Sequence, residues 1–399
     1  MRLKVPPSLL LVTASVTMGF GAIFALLPDF QDAVGFSDFW LGAVTAASFV
    51  AGFLSQVGLA RFADRGFGRH LLIGGIALSA LGMVGVAAAE SVGVLFVGRL
   101  ILGFGQGAFL PAARRVVILR NPTEVGAALG QVGSAATFGF LSGPVVASTL
   151  AEAFTLRTPF WVIAGVLVAG LPVVARFAVP PAAATAPVAP LRRLLKLRGV
   201  RAGMLLGVGL NVAIGVYDTL WAKFLQDDHG ASTQFVGYSL FFFAMPIVIL
   251  APVMGRVADR FGPVLLGSLC ALASVPFVAS YAWLPNMWII SVFALFHSVL
   301  DAGVVPSSQS AVARSGPDDL VASGQGLLDG FGLLTAAASA LLFAPLYGAY
   351  GPVTLWLALA ACVGAAGAGA AIVGRGALET ASELAQREHG VALTAGERT

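Results

Sequence analysis

Long apolar runs alternate with short polar breaks along the whole chain. Twelve runs come near or above the ~20 residues that an α-helix needs to cross a bilayer, at about 8–29, 39–60, 70–89, 92–113, 124–150, 158–179, 201–224, 233–255, 262–283, 286–311, 319–345 and 352–374. Two breaks, Glu90-Ser91 and Leu284-Pro285-Asn286, are so short that they predict tight hairpins. The pattern predicts an all-α integral membrane protein of twelve transmembrane helices.

The polar breaks differ in sign. All but three of the 23 Lys and Arg residues fall at the N-terminus, in alternate loops or in the C-terminal tail; the exceptions are Arg99, Arg157 and Lys223. The opposite loops carry Asp29, Asp32, Asp38, Asp227 and Asp228. Basic loops stay in the cytoplasm, so both termini are expected there, in a multi-pass protein of the cell membrane. The net charge of +4 then reflects topology, and nucleic acid is not an expected partner. Charged residues make up only 11% of the chain, too few to cover a water-exposed surface, so membrane lipid is expected to cover much of it. Lys223 is expected to snorkel to the outer interface. Cys270 and Cys362 lie inside apolar runs and read as buried thiols. The N-terminal run lacks a small-residue cleavage site and reads as a first spanning helix.

The chain repeats itself at an offset of 195 residues: Gly35 with Gly230, Ser37 with Ser232, Gly42 with Gly237, Asp64-Arg65 with Asp259-Arg260, Pro111 with Pro306 and Trp161 with Trp356. This predicts two pseudo-symmetric six-helix bundles, 1–179 and 201–374, a cytoplasmic linker at 180–200 and a cytoplasmic tail at 375–399. Leu191 to Leu197 is a candidate short amphipathic helix on the membrane surface. Two parallel six-span repeats are a transporter design in which cargo binds between the halves near the midplane.

Matching loops carry related motifs. The second half has Gly255-Arg256-Val257-Ala258-Asp259-Arg260-Phe261-Gly262; the first has Ala60-Arg61-Phe62-Ala63-Asp64-Arg65-Gly66-Phe67-Gly68-Arg69. Both resemble the G-x-x-x-D-R-x-G-R loop signature of the major facilitator superfamily, with Ala60 in place of the leading glycine and one residue inserted before Gly68. The resemblance implies a cytoplasmic latch between the halves, with Asp64, Arg65 and Arg69 as candidates. The fifth run contains Gly139-Phe-Leu-Ser-Gly143-Pro144, similar to the G-x-x-x-G-P core of the exporters' antiporter motif. The likeness is to the twelve-span drug:proton antiporter group. It implies export of small, amphipathic or drug-like compounds by alternating access, with uptake symport as the alternative. Gly139 and Gly143 lie one turn apart, which permits close helix contact.

Ionisable groups inside apolar runs are costly, about 2.5–3.5 kcal/mol for Arg or Asp at a helix centre on insertion scales, and mark function. Arg99 is one, and by resemblance it is linked to proton coupling. Asp218 is a second; it can hold a proton when buried and release it when water arrives. His297 and Asp301 are four residues apart, on one helical face, and adjacent hairpin helices are expected to bring Asp329 beside them. Each of these also has a bland reading as a static polar contact that fixes packing. Asn211, Tyr217, Trp221, Gln106, Gln309 and Gln325 are candidate cavity residues. No Walker A loop, zinc motif or nucleophile elbow occurs. An enzyme is therefore not expected, nor a cofactor or metal: the proton gradient supplies the energy. The expected partners are protons, a small-molecule substrate and lipid, and the working unit is a monomer.

Overall fold

The computed structural model describes residues 5–62, 67–120, 125–176, 191–315 and 321–375, and these are helical with no strand. The helices are α1 (Pro7–Gly21), α2 (Leu27–Val34), α3 (Asp38–Phe62), α4 (Gly68–Ala87), α5 (Val92–Arg120), α6 (Val125–Ala153), α7 (Thr158–Ala175), α8 (Arg198–Lys223), α9 (Thr233–Phe261), α10 (Pro263–Ser280) and α11 (Met287–Ser315). A last helical stretch, Val321–Val373, would measure about 80 Å if straight, far more than a ~30 Å hydrocarbon core. It breaks at Gly351, whose φ of 75° and ψ of −176° are not helical, giving α12 (321–350) and α13 (352–373). All but α2 are membrane-crossing helices, and they number twelve among the described residues.

The two short hairpins are present. α4 ends at Ala87 and α5 begins at Val92; α10 ends at Ser280 and α11 begins at Met287, where the Asn286 side chain accepts from the backbone N–H groups of Trp288 and Ile289. The first run behaves differently from a single long span. A 3₁₀ turn at Ala22–Ala25 interrupts it, and α2 follows as a separate short helix. Leu191–Lys196 forms a 3₁₀ turn whose Leu194 is buried among Val200, Met204, Val312 and Leu328, so it packs on the second half. Residues 177–190 of the linker and the tail beyond 375 lie outside the described residues. Cys270 is half-buried and Cys362 exposed, so the second thiol does not fit the buried reading.

The internal repeat is visible in the backbone. Gly35 (φ 76°) and Gly230 (φ 63°) occupy matching left-handed positions where a helix ends before α3 and α9. A β-branched residue there meets strain of about 1–3 kcal/mol. Gly35→Val and Gly230→Val are each expected to lower the melting temperature of the detergent-solubilised protein; an unchanged melting curve would contradict the role of the left-handed backbone.

The halves meet along two seams, α3 with α12 and α6 with α9. Gly42 and Gly237, partners in the repeat, sit at matching places on them. A methyl group at Gly42 would collide with the Ala340 carbonyl oxygen, and one at Gly237 would lie 2.6 Å from that of Pro144. Gly139 and Gly143 let α6 rest on α1 at Ala14 and Met18, so these two glycines build the first half from within.

Candidate functional site

One end of the bundle carries Asp29, Asp38, Asp227 and Asp228; the other carries Arg114, Arg256, Arg260 and Arg314. The acidic end is closed by bonds between the halves. Asp29 in α2 accepts from the Thr233 hydroxyl at 3.0 Å and from Gln226 Nε2 at 3.4 Å. Burial raises the Asp29 carboxyl above its usual range, while these hydrogen bonds pull it down. Lys223 does not snorkel freely: its Nζ lies 2.8 Å from Asp227 and 3.6 Å from Asp38 of the other half.

Between the halves lies a cavity of about 400 Å³. Its walls are mainly apolar and aromatic, including Phe20, Phe24, Phe49, Phe140, Tyr217 and Phe243. Polar groups are few: Ser48, Gln56, Gln106, Thr137, Asn211, and the carboxyls of Asp218 and Asp301.

Asp218 is 7% exposed, and its Oδ2 is buried without a hydrogen-bond partner. The opposing charge is Arg99 in the first half, fully buried at 0% exposure. Arg99 donates to Ser48 Oγ at 2.6 Å and to the Phe20 carbonyl at 3.3 Å. Its guanidinium carbon lies 5.1 Å and 5.2 Å from the Phe20 and Phe24 ring centroids, within cation–π reach. Arg99 and Asp218 act on each other electrostatically without a direct hydrogen bond. The guanidinium is thus held by its own half, and the carboxylate stays free to face a ligand. Gln106 also lines the cavity with an unpartnered buried Oε1.

Asp301, 8% exposed, lies 3.6 Å from His297 Nε2. On the other side of the ring, His297 Nδ1 lies 3.1 Å from the Tyr281 hydroxyl and 3.4 Å from that of Tyr217. When the ring is neutral, a tyrosine O–H donates to Nδ1 and the ring proton sits on Nε2, facing Asp301. This chain of exchangeable protons ends at the cavity wall.

Several expected residues stand elsewhere. Asp329 does not join His297 and Asp301; its side chain is 48% exposed and lies 3.7 Å from Arg114, across the seam between the halves. Adjacency of α11 and α12 did not bring these residues together because Asp329 faces the first half, away from α11. Trp221 is fully buried outside the cavity wall, in an aromatic cluster with Tyr281 and Trp356, and donates to Ser239. Gln325 donates to the Gln309 carbonyl, and neither lines the cavity. Asp64 and Arg65 lie outside the described residues. Gly68 opens α4, and Arg69 donates to the Ala175 carbonyl of its own half. Asp259 pairs with Arg314 at 3.2 Å, also within one half; Arg260 stacks on Phe261, Gly262 ends α9, and Gly255 and Arg256 lie on its last turns. The described part of the signature therefore braces each half internally. Among the described residues, Arg114–Asp329 is an ion pair between the halves at the basic end.

Sequence reasoning missed Ser48, Tyr281 and the phenylalanine clamp on Arg99. The clamp left a trace, since Phe20 and Phe24 are four apart and share a helical face.

The model of the Major Facilitator Superfamily matches residues 9–337. The chain belongs to this superfamily. Among curated relatives it is 24% identical over 310 residues to the multidrug resistance protein MdtG of Proteus mirabilis (strain HI4320), covering 74% of this chain and 77% of that one. It is 26% identical over 285 residues to MdtG of Dickeya zeae (strain Ech586), covering 68% and 69%. Among solved structures, a variant of the nucleoside transporter NupG superposes with a TM-score of 0.79 at 14% identity, covering 93% of this chain and all of that one. A bacterial homologue of the human lysosomal transporter Spinster superposes at 0.78 and 14% identity, covering 92% and 96%. This superfamily member is an integral membrane transporter with the twelve-helix facilitator fold.

Proposed function

We propose that this transporter exports small amphipathic, drug-like compounds bearing a positive charge, by proton antiport through alternating access. The observation that carries the reading is Asp218: an unpartnered carboxyl oxygen in an apolar, aromatic cavity between the halves. Cargo charge and a proton compete for that carboxyl, so binding one releases the other. The aromatic walls suit a flat or bulky apolar body. His297 and Asp301 add a second group that can hold a proton at the cavity wall. Similarity to MdtG multidrug resistance proteins supports export.

The basic end faces the cytoplasm on the charge-asymmetry rule, with both termini on the cytoplasmic side of the cell membrane. The bonds of Asp29 and Lys223 then close the outer end, and opening it requires breaking them. A single chain supplies both halves of the cavity, so a monomer suffices, and the proton gradient is the energy source without a cofactor. Uptake symport of a small metabolite or sugar is the second reading, and the fold likeness to a nucleoside transporter makes nucleosides one cargo to test.

The test is transport in proteoliposomes with an imposed pH gradient, using lipophilic cations, nucleosides and sugars in parallel. Antiport predicts cation flux against the proton flow that stops when the gradient is collapsed. Cation flux indifferent to that collapse ends the proton reading; nucleoside entry running with protons establishes symport instead.

A further inference from the structure

The polar groups of the cavity wall do not balance. Donors on the wall are turned to the protein. The Ser48 hydroxyl donates to the Thr45 carbonyl at 3.0 Å, Asn211 Nδ2 donates to that of Gly207 at 2.8 Å, and the Tyr217 hydroxyl lies 3.4 Å from His297 Nδ1. What is left over is acceptors. Among the described residues that line the cavity, two carry a buried side-chain atom without a hydrogen-bond partner, and both atoms are oxygens: Asp218 Oδ2 and Gln106 Oε1. Arg99 gives neither a hydrogen bond: its terminal nitrogens go to the Phe20 carbonyl and to Ser48, and its Nε has no partner. A buried acceptor without a partner is costly, and on the wall of a cavity a ligand can supply the missing donor.

The two oxygens sit on different halves and at different depths. Asp218 belongs to α8 and acts electrostatically on Arg99 of α5. Gln106 lies two helical turns beyond Arg99 along α5, about 10 Å nearer the basic end at 1.5 Å per residue. Packing gives the same depth independently. A methyl group on Gly107, beside Gln106, would lie 2.5 Å from the Gly52 carbonyl oxygen of α3, one on Gly52 would lie 4.0 Å from Leu333 of α12, and one on the adjoining Gly332 would meet Asn211 at 2.8 Å. Asn211 is itself two turns from Asp218 along α8. Two acceptors therefore stand about 10 Å apart along the bundle axis, one in each half, on a wall that is otherwise mainly aromatic and aliphatic.

On the export reading of Asp218 above, we propose that the cavity selects two-headed cargo: a protonated nitrogen for Asp218 and, across an apolar body, a hydroxyl or N–H group that donates to Gln106. Each hydrogen bond spans about 3 Å, so acceptors about 10 Å apart are bridged by donors about 5–10 Å apart. Such cargo ties the first half to the second through its own body. An amine with no second donor leaves Gln106 Oε1 buried and unpaired. A site that hydrogen-bonds its ligand rejects an analogue without the donor far more strongly than an apolar pocket rejects a missing methylene. Hydrophobicity alone ranks cargo the other way, because a donor group makes a compound less apolar. Asp218 is the anchor, and Gln106 is the specificity-determining residue.

The probes are tyramine and its O-methyl ether, 4-methoxyphenethylamine, which share an ammonium group and an aromatic ring and differ by one O–H donor. Binding is measured by isothermal calorimetry on the detergent-solubilised protein at neutral pH. Tyramine is expected to bind about tenfold or more tighter than the ether. In Gln106→Leu its affinity is expected to fall to within about twofold of the ether's, and in Asp218→Asn both amines weaken together. Equal affinities in the unsubstituted protein, or a preference that survives Gln106→Leu, overturn the second head at Gln106 and leave the cation reading standing. Binding of neither amine removes the cation reading and the two-headed cargo with it. If Gln106→Leu does not fold, the ratio in the unsubstituted protein still decides, since a purely apolar wall binds the ether better.

Discussion

Asp218→Asn is expected to abolish gradient-driven cation flux in proteoliposomes while leaving the protein folded. The substitution keeps shape and volume and removes only the ability to ionise. In the wild-type cavity the carboxyl has an unpartnered oxygen and faces Arg99 at a distance, with Arg99 already held by Ser48 and the Phe20 carbonyl. Removing the charge therefore breaks no hydrogen bond at that oxygen, and Arg99 keeps its own. It does remove the counter-charge a cation meets. Losing one member of a desolvated charge pair costs about 3 kcal/mol, or roughly a hundredfold in affinity for a lipophilic cation. Binding by isothermal calorimetry and flux under a pH gradient check the two parts separately. Full gradient-driven flux in Asp218→Asn would remove this carboxyl from the coupling. A collapsed melting curve would instead make it a packing group. Asp301→Asn is the contrast, since Asp301 already faces His297 and its loss bears on proton movement more than on cargo affinity.

The second large effect is expected from Gly237→Leu and Gly42→Leu. These glycines are repeat partners, one on each seam, and both let backbone touch backbone between the halves. A side chain at either place acts as a wedge at the closed end. Overpacking of this kind costs about 1–3 kcal/mol. Each half can relieve it as a rigid body by moving apart, so the cost falls on the closed conformation and not on either bundle. A conformational equilibrium then shifts about 5–150-fold towards opening at the acidic end. Spin-label distances across that end, for example between labels near Asp32 and His229, are expected to lengthen, with the melting temperature little changed. Gly139→Leu gives the opposite pattern. Its clash lies between α1 and α6 inside one half, where no rigid-body motion relieves it, so stability falls instead. Equal melting losses at Gly237 and Gly139 would refute the distinction.

Much of this architecture was legible before any coordinates. Twelve apolar runs, the sign of the breaks between them and the 195-residue offset fixed the helices, their two-fold arrangement and the seam between halves. This works because a bilayer leaves a chain few choices: backbone polar groups must be bonded internally, so a long apolar run becomes a helix. The repeat paired the glycines, and the backbone then showed their roles. Gly35 and Gly230 mark left-handed turns and Gly42 and Gly237 mark close contact, all of which depend on the missing Cβ.

The candidate site was legible only where partners sit on one helix. His297 and Asp301 are four residues apart, and helix geometry places them together. Asp329 was misplaced because its direction depends on how α12 rotates against the other half, where it finds Arg114. Trp221 looked like a cavity residue from its spacing to Asp218, but its indole points into the aromatic cluster of the second half. Lys223 was expected to snorkel to the outer interface, and its tie to the other half was hidden because Asp38 is far away in sequence.

By itself, then, the sequence determined what is local or periodic: the spans, the repeat, the polarity of the two ends and the identity of the buried ionisable groups. The tertiary structure alone decided which of those groups meet. Arg99 acts on Asp218 across the halves, Asp29 is tied to Thr233, and Asp329 meets Arg114. The physical reason is that insertion into lipid is governed by each helix's own composition, whereas the pairing of charges depends on rotations and tilts set by packing against helices distant in the chain.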